Sequence, residues 1–261
     1  MTHRSARATA REYRTTPQPR RQMKPTRPWG WGDVVWVGVT LLTASGLTLF
    51  ALSNSLALLM PEEGIVTARA ILLILFYLMT LVVLAYRAHK REMPFAGAYR
   101  LRWNPLDSLS GSWTPWISSL WVAALFFILR LFAIGYTYLT AELGWVPPPS
   151  EKLTSLFGTN IFGLVTATIS VVLLAPLIEE LVFRVVMLET FTQKFSATPA
   201  IFLQAAIFSL YHFSLWAAFP NFLLALACAH LAKKSRTTIP AVLLHVLYNA
   251  AVVAAAYYTA L

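Results

Sequence analysis

The chain has 261 residues, 57% of them hydrophobic and only 12% charged, against roughly 45–50% and about 25% in soluble domains. Its apolar residues fall in long runs parted by short polar stretches, which excludes an ordinary soluble domain and reads as a polytopic membrane protein. The net charge of +10 does not make a nucleic-acid binder, because the basic residues crowd the N-terminus and a few loops and form no stripe interleaved with aromatics.

Residues 1–28 hold eight of the 21 Lys and Arg and a single acid, Glu12. Such a segment is expected to be a disordered, cytosolic tail, taken as 1–30. An organellar transit peptide has a similar composition, and the tail is the simpler reading. Seven apolar segments follow, at about 34–60, 68–86, 116–141, 161–188, 200–214, 219–232 and 237–257. The fold class they predict is all-α, a transmembrane bundle of seven to eight helices. The first segment is too long for a signal-peptide core and reads as an uncleaved span. The fifth and sixth are short and call for tilt, re-entry or extension at one end. The predicted division is N-terminal membrane helices at 31–145 and a catalytic membrane core at 146–261.

Charge sets the orientation. With the tail, the alternate loops carry seventeen of the 21 basic residues: Arg87, Lys90, Arg91, Arg100 and Arg102 in one, Lys194 in the next, Lys233, Lys234 and Arg236 in the last. The opposite loops hold Arg69 at a helix edge and Lys152, beside Glu62, Glu63, Glu142 and Glu151. The predicted N-terminus is therefore cytoplasmic and the C-terminus outside. Trp29, Trp31, Trp36, Trp113, Trp116 and Trp145 fall near predicted span ends, as interfacial belts do. Pro147, Pro148 and Pro149 close the third span. Cys228 is the single cysteine and reads as a packing residue.

Ionisable groups inside spans are costly, and each is a functional candidate by default. The polar residues within the apolar runs are Arg130, Glu179, Glu180, Arg184, His212, His230, His245 and Asn249. Glu179 and Glu180 are consecutive, so on a helix they face directions about 100° apart. Glu180 and Arg184 stand four apart, in the favourable order for an ion pair. Glu179 is then left to face another helix, where an apolar setting suits a carboxylate to general-base work. Pro176 predicts a kink just before the pair. Phe208 and His212 share a helix face, and His212 taken alone reads more readily as a packing residue. His245 and Asn249 also stand four apart, which could present two donors to one oxyanion or serve as interhelical glue. Together, a carboxylate, an imidazole and a His–Asn pair from three successive helices are sufficient to hydrolyse an amide. His230 reads as an interfacial residue. For Arg130 a buried structural pairing is the simpler reading, and a clamp on a substrate carboxylate the functional one.

The ordered trio Glu179-Glu180-x-x-x-Arg184, Phe208-x-x-x-His212 and His245-x-x-x-Asn249 resembles the signature motifs of the CPBP intramembrane proteases, which include the type II CAAX prenyl endopeptidases and the Abi proteins. The resemblance covers about residues 160–257. It implies a glutamic-type intramembrane protease in which Glu179 and His212 activate water and His245 and Asn249 hold the oxyanion. Glu180 and Arg184 are the implied supporting pair, with Phe208 beside them. It further implies a helical bundle with a cavity reached from the membrane or cytosolic side, and a membrane-associated peptide or protein as substrate. No metal is expected. Zinc on Glu179, His212 and His245 is the alternative, although no H-E-x-x-H motif is present. Seven spans is one fewer than the eight of the prenyl proteases. The short chain and compact loops suggest a bacterial plasma membrane and hence a substrate that need not be prenylated. A non-catalytic scaffold or immunity-type protein is the competing class. A transporter would call for internal repeats, and none is visible.

Overall fold

The computed structural model of the chain describes residues 29–42, 61–103, 113–146 and 153–258. Among them every apolar run forms a helix and no strand occurs. In chain order these are α1 (Trp31–Leu42), α2 (Glu62–Lys90), the short α3 (Phe95–Ala98), α4 (Pro115–Glu142), the short α5 (Leu153–Phe157), α6 (Ile161–Thr192), α7 (Ala197–Tyr211), α8 (Leu215–Ser235) and α9 (Ile239–Tyr258). Five of them, α2, α4, α6, α8 and α9, are long and apolar enough to cross a membrane. The protein is a polytopic helical bundle. The tail at 1–28, most of the first expected span (43–60) and the proline run at 147–149 lie outside the described residues.

Local sequence sets where the helices begin. Thr114 caps α4 by accepting from the Ile117 N–H, and Pro115 takes a first-turn position where no N–H is needed. The sixth expected segment, 219–232, is longer than its apolar run. Ser214 caps α8 through the Ala217 N–H, and the helix continues past Lys233 and Lys234 to reach 21 residues. α7 stays short at 15 residues, about 22 Å against a core of about 30 Å. It meets α8 through a tight turn in which Phe213 has φ +51°.

One end of the bundle gathers the basic loops. Asp33 at the start of α1 receives Arg87 and Arg91 from the end of α2. The Arg91 guanidinium stacks on Trp29 at 4.1 Å, and Gln193 donates to the Trp29 carbonyl at 2.6 Å. Thr237 and Thr238, leading into α9, donate to the carbonyls of Arg100 and Tyr99 at 2.8 Å each. Arg100 also pairs with Glu189 at 2.7 Å. Burial raises the pKa of the Tyr99 phenol, which keeps it a neutral donor to the Leu84 carbonyl at 2.9 Å. The loops that charge counting assigned to one side are thus physically together.

The opposite end is closed by α5 and the start of α6. Asn160 caps α6 by accepting from the Gly163 N–H at 2.9 Å. A Cβ on Gly163 would meet the Phe157 and Gly158 carbonyl oxygens at 2.4 and 2.6 Å and the Tyr257 hydroxyl at 2.9 Å. Only glycine permits this approach. The largest apolar cluster draws on α1, α2, α6, α7 and α8 together, so the N-terminal helices share a core with the C-terminal ones. The outward faces, including Trp36, Met79, Val82, Phe127 and Leu131, are exposed and apolar, as a lipid-facing surface must be.

The site is built into an irregularity of α6. Two π-helical stretches, Thr168–Leu174 and Leu181–Met187, bracket the α-helical turn Ala175–Glu180. Pro176 stands just past the first. Lacking an N–H and clashing with the preceding turn, it favours a widened helix there. The sequence predicted a kink at this point, and the helix is widened there.

Candidate active site

Glu179 and Glu180 leave α6 in different directions. Glu179, 4% exposed, lines a cavity of about 1200 Å³. Glu180, fully buried, does not line it and faces the bundle interior. There the Arg184 Nη2 donates to its Oε1 at 3.1 Å, and Arg184 Nε lies 2.8 Å from its Oε2. The second contact is a close ion contact whose angle is not that of a hydrogen bond. Arg184 also donates from Nη1 to Gln204 on α7 and lies 5.1 Å from the Phe208 ring centroid.

Both histidines are oriented through Nδ1. His212 is the residue that ends α7 rather than a member of it, with φ −77° and ψ −5°. Its Nδ1–H donates to the Phe208 carbonyl at 2.8 Å. This leaves its Nε2 lone pair pointing to Glu179, whose Oε2 lies 3.9 Å away. His245, on α9, donates Nδ1–H to Glu180 Oε1 at 2.9 Å and holds Nε2 at 3.8 Å from the same Glu179 oxygen. So one carboxylate oxygen faces two imidazole Nε2 atoms, one from the turn after α7 and one from α9. Separations near 3.9 Å are too long for direct hydrogen bonds and fit a bridging water. Phe208 packs near both imidazoles. Fully buried, it sits 4.8 Å from the His212 ring and 5.7 Å from the His245 ring.

Asn249 lines the same cavity. Its Nδ2 donates to the Val171 carbonyl at 2.8 Å, inside the first π-helical stretch. One N–H of the amide thus ties α9 to α6, and the second remains for the cavity. The π stretch has a visible consequence here: its looser ladder leaves a carbonyl that a neighbouring helix can engage.

Sequence reasoning missed two features. Gln204 is fully buried and is the second partner of Arg184. It stands four residues before Phe208, and a polar residue on that face of an apolar helix was the available signal. Glu180 was read as a partner of Arg184 alone, whereas it also holds His245, a contact across helices that no local spacing encodes. Arg130, by contrast, has no ion pair among the described residues and stacks against Tyr248 with the guanidinium 5.6 Å from the ring. His230 sits near Trp113 and Trp121, away from the site.

The cavity is lined by the halves of α2, α4, α6, α8 and α9 that lie away from the basic loops, together with α5 and the turn at His212 and Phe213. Helix rise places His245 about 10 Å from the basic end and about 20 Å from the other, and Glu179 about 20 Å and about 27 Å. A carboxylate and two imidazoles are donor types that zinc takes. Among the described residues, however, no group of three or more His, Cys, Asp or Glu is set to hold a metal ion.

Residues 161–251 match a protein family described as type II CAAX prenyl endopeptidase Rce1-like, a family of proteases. The match runs from the start of α6 into α9 and takes in all seven residues of the motif trio. No curated protein and no solved structure matches the chain.

Proposed function

We propose, on the premise of that Rce1-like segment, that the protein is an intramembrane endopeptidase. It hydrolyses a peptide bond in a membrane-associated peptide or protein with a water activated by Glu179 and His212. The observation that carries this reading is the convergence of Glu179 on α6, His212 at the turn after α7 and His245 on α9 on one cavity.

A water between Glu179 Oε2 and His212 Nε2 donates one proton toward each, which leaves an oxygen lone pair for the carbonyl carbon. As the C–O bond forms, one proton passes to Glu179. The oxyanion is received by His245 Nε2–H and the free N–H of Asn249. The two histidines lie at nearly the same distance from Glu179, so their second ring nitrogen separates their roles. His245 rests on the Glu180 carboxylate, a counter-ion for the charge it carries when Nε2 is also protonated. His212 rests on a carbonyl and has no such partner. The tetrahedral intermediate collapses when Glu179 returns its proton to the amide nitrogen and the C–N bond breaks.

No step runs through a metal ion. Zinc on Glu179, His212 and His245 is the alternative, and inhibition by a chelator with recovery on zinc addition would favour it. The decisive experiment compares the membrane peptidomes of cells carrying the wild-type protein and Glu179→Gln. General-base loss lowers rate by about 10²–10⁴, so processed peptides should disappear in the variant while the protein persists at wild-type level. Equal processing by Glu179→Gln would overturn the mechanism. A phenotype lost on deletion but kept by the variant would favour the non-catalytic scaffold.

A further inference from the structure

Besides the two histidines and the neutral tyrosines, the charged side chains lining the cavity are Glu179, Arg69 and Arg130. The reaction above uses the glutamate and neither arginine. Arg130 sits near the middle of α4, at bilayer depth, where an unpaired cation is costly and default expectation assigns it a function. Four other arginines have carboxylate partners. Arg184 has Glu180, Arg87 and Arg91 share Asp33, and Arg100 has Glu189. Arg130 has no carboxylate or carbonyl partner among the described residues, and the buried Nε of Arg69 is without a hydrogen-bond partner as well.

The contact that Arg130 does make is informative. Its guanidinium lies near the face of Tyr248, an arrangement that holds the group by cation–π attraction and leaves its N–H fork free. Tyr248 precedes Asn249 and is three residues beyond His245 on α9. The fork therefore lines the same cavity as Glu179, His212 and His245. A planar guanidinium takes a carboxylate through two parallel bonds, which an ammonium cannot do.

We propose that Arg130, with Arg69 as a second cation in the cavity, anchors a carboxylate carried by the substrate peptide. This rests on the endopeptidase reading and names the substrate group that the site selects. The carboxylate is either the peptide's C-terminus or an acidic side chain, and the test tells them apart.

Full-length Glu179→Gln protein in phosphatidylcholine nanodiscs is titrated with two pairs of apolar peptides by microscale thermophoresis. One pair is N-acetyl-Leu-Phe-Leu as the free acid and as the amide. The other is N-acetyl-Leu-Glu-Leu-amide and its Gln counterpart. The acid should bind about tenfold or more tightly than the amide if the C-terminus is read, and the Glu peptide than the Gln peptide if a side chain is. In the Glu179→Gln background, Arg130→Gln should bring the ratio close to one, and Arg130→Lys should keep part of it. No difference within either pair overturns the proposal, as does a ratio that survives Arg130→Gln. The peptide comparison needs no change at Arg130, so it decides even where that variant fails to fold. Failure of the endopeptidase reading would show instead as cleavage retained by Glu179→Gln, and would leave the binding ratio as it is.

Discussion

Arg184 shows how much a single buried side chain carries. It is almost fully buried and contacts Glu180, Gln204 and Phe208, and through Glu180 it fixes the ring of His245. Removing one partner of a buried ion pair leaves the other charge uncompensated and costs about 3–5 kcal/mol. Arg184→Met should therefore lower the thermal unfolding midpoint of the detergent-solubilised protein markedly and abolish cleavage. A midpoint within a degree of wild type would show that Glu180 is satisfied without it. The ion pair itself was legible in the sequence, because four-residue spacing on a helix makes neighbours. The His245–Glu180 contact and the use of an Asn249 N–H on Val171 were not. They depend on how α6, α7 and α9 pack, and residues 65 and 78 positions apart carry no local signature of their meeting.

At the scale of elements, the same limit appears in helix phase. A sequence read at 3.6 residues per turn has no way to place π-helical stretches, although Pro176 marks where one ends. The Phe208–His212 spacing suggested a common helix face, yet α7 stops at Tyr211. The relationship persists because His212 still bonds the Phe208 carbonyl one turn back. The left-handed Phe213 that follows turns the chain at once into α8. Where α6 begins, the fit is set by Gly163. A methyl there would press on two backbone carbonyls, which cannot swing aside as a side chain can. Overpacking of this kind costs about 1–3 kcal/mol. Gly163→Ala should lower thermal stability by that amount and shift α6 enough to reduce activity, as measured by calorimetry and by processing of the same peptides. Unchanged stability would mean that α5 can retreat from α6.

For the whole molecule, composition and charge alternation made the membrane bundle legible before any contact was known, and the structure adds that the alternate loops meet at one end through Asp33, Arg100 and Thr237. A side predicted by the positive-inside rule thereby becomes a single physical surface. Glu179 and His245 lie nearer that surface, while the cavity runs from them toward the other. If the basic end is cytosolic, most of the cavity lies in the far half of the bilayer. Two exposed positions test the orientation directly, because the lone cysteine, Cys228, is buried and silent. Glu142 ends α4 at the far end, and Lys194 follows α6 at the basic end. With Glu142→Cys, a membrane-impermeant maleimide should label intact cells. With Lys194→Cys it should label only after permeabilisation. The reverse pattern would put the basic loops outside and turn the cavity toward the cytosol, because the contacts at the basic end hold those loops together whichever way the bundle is inserted.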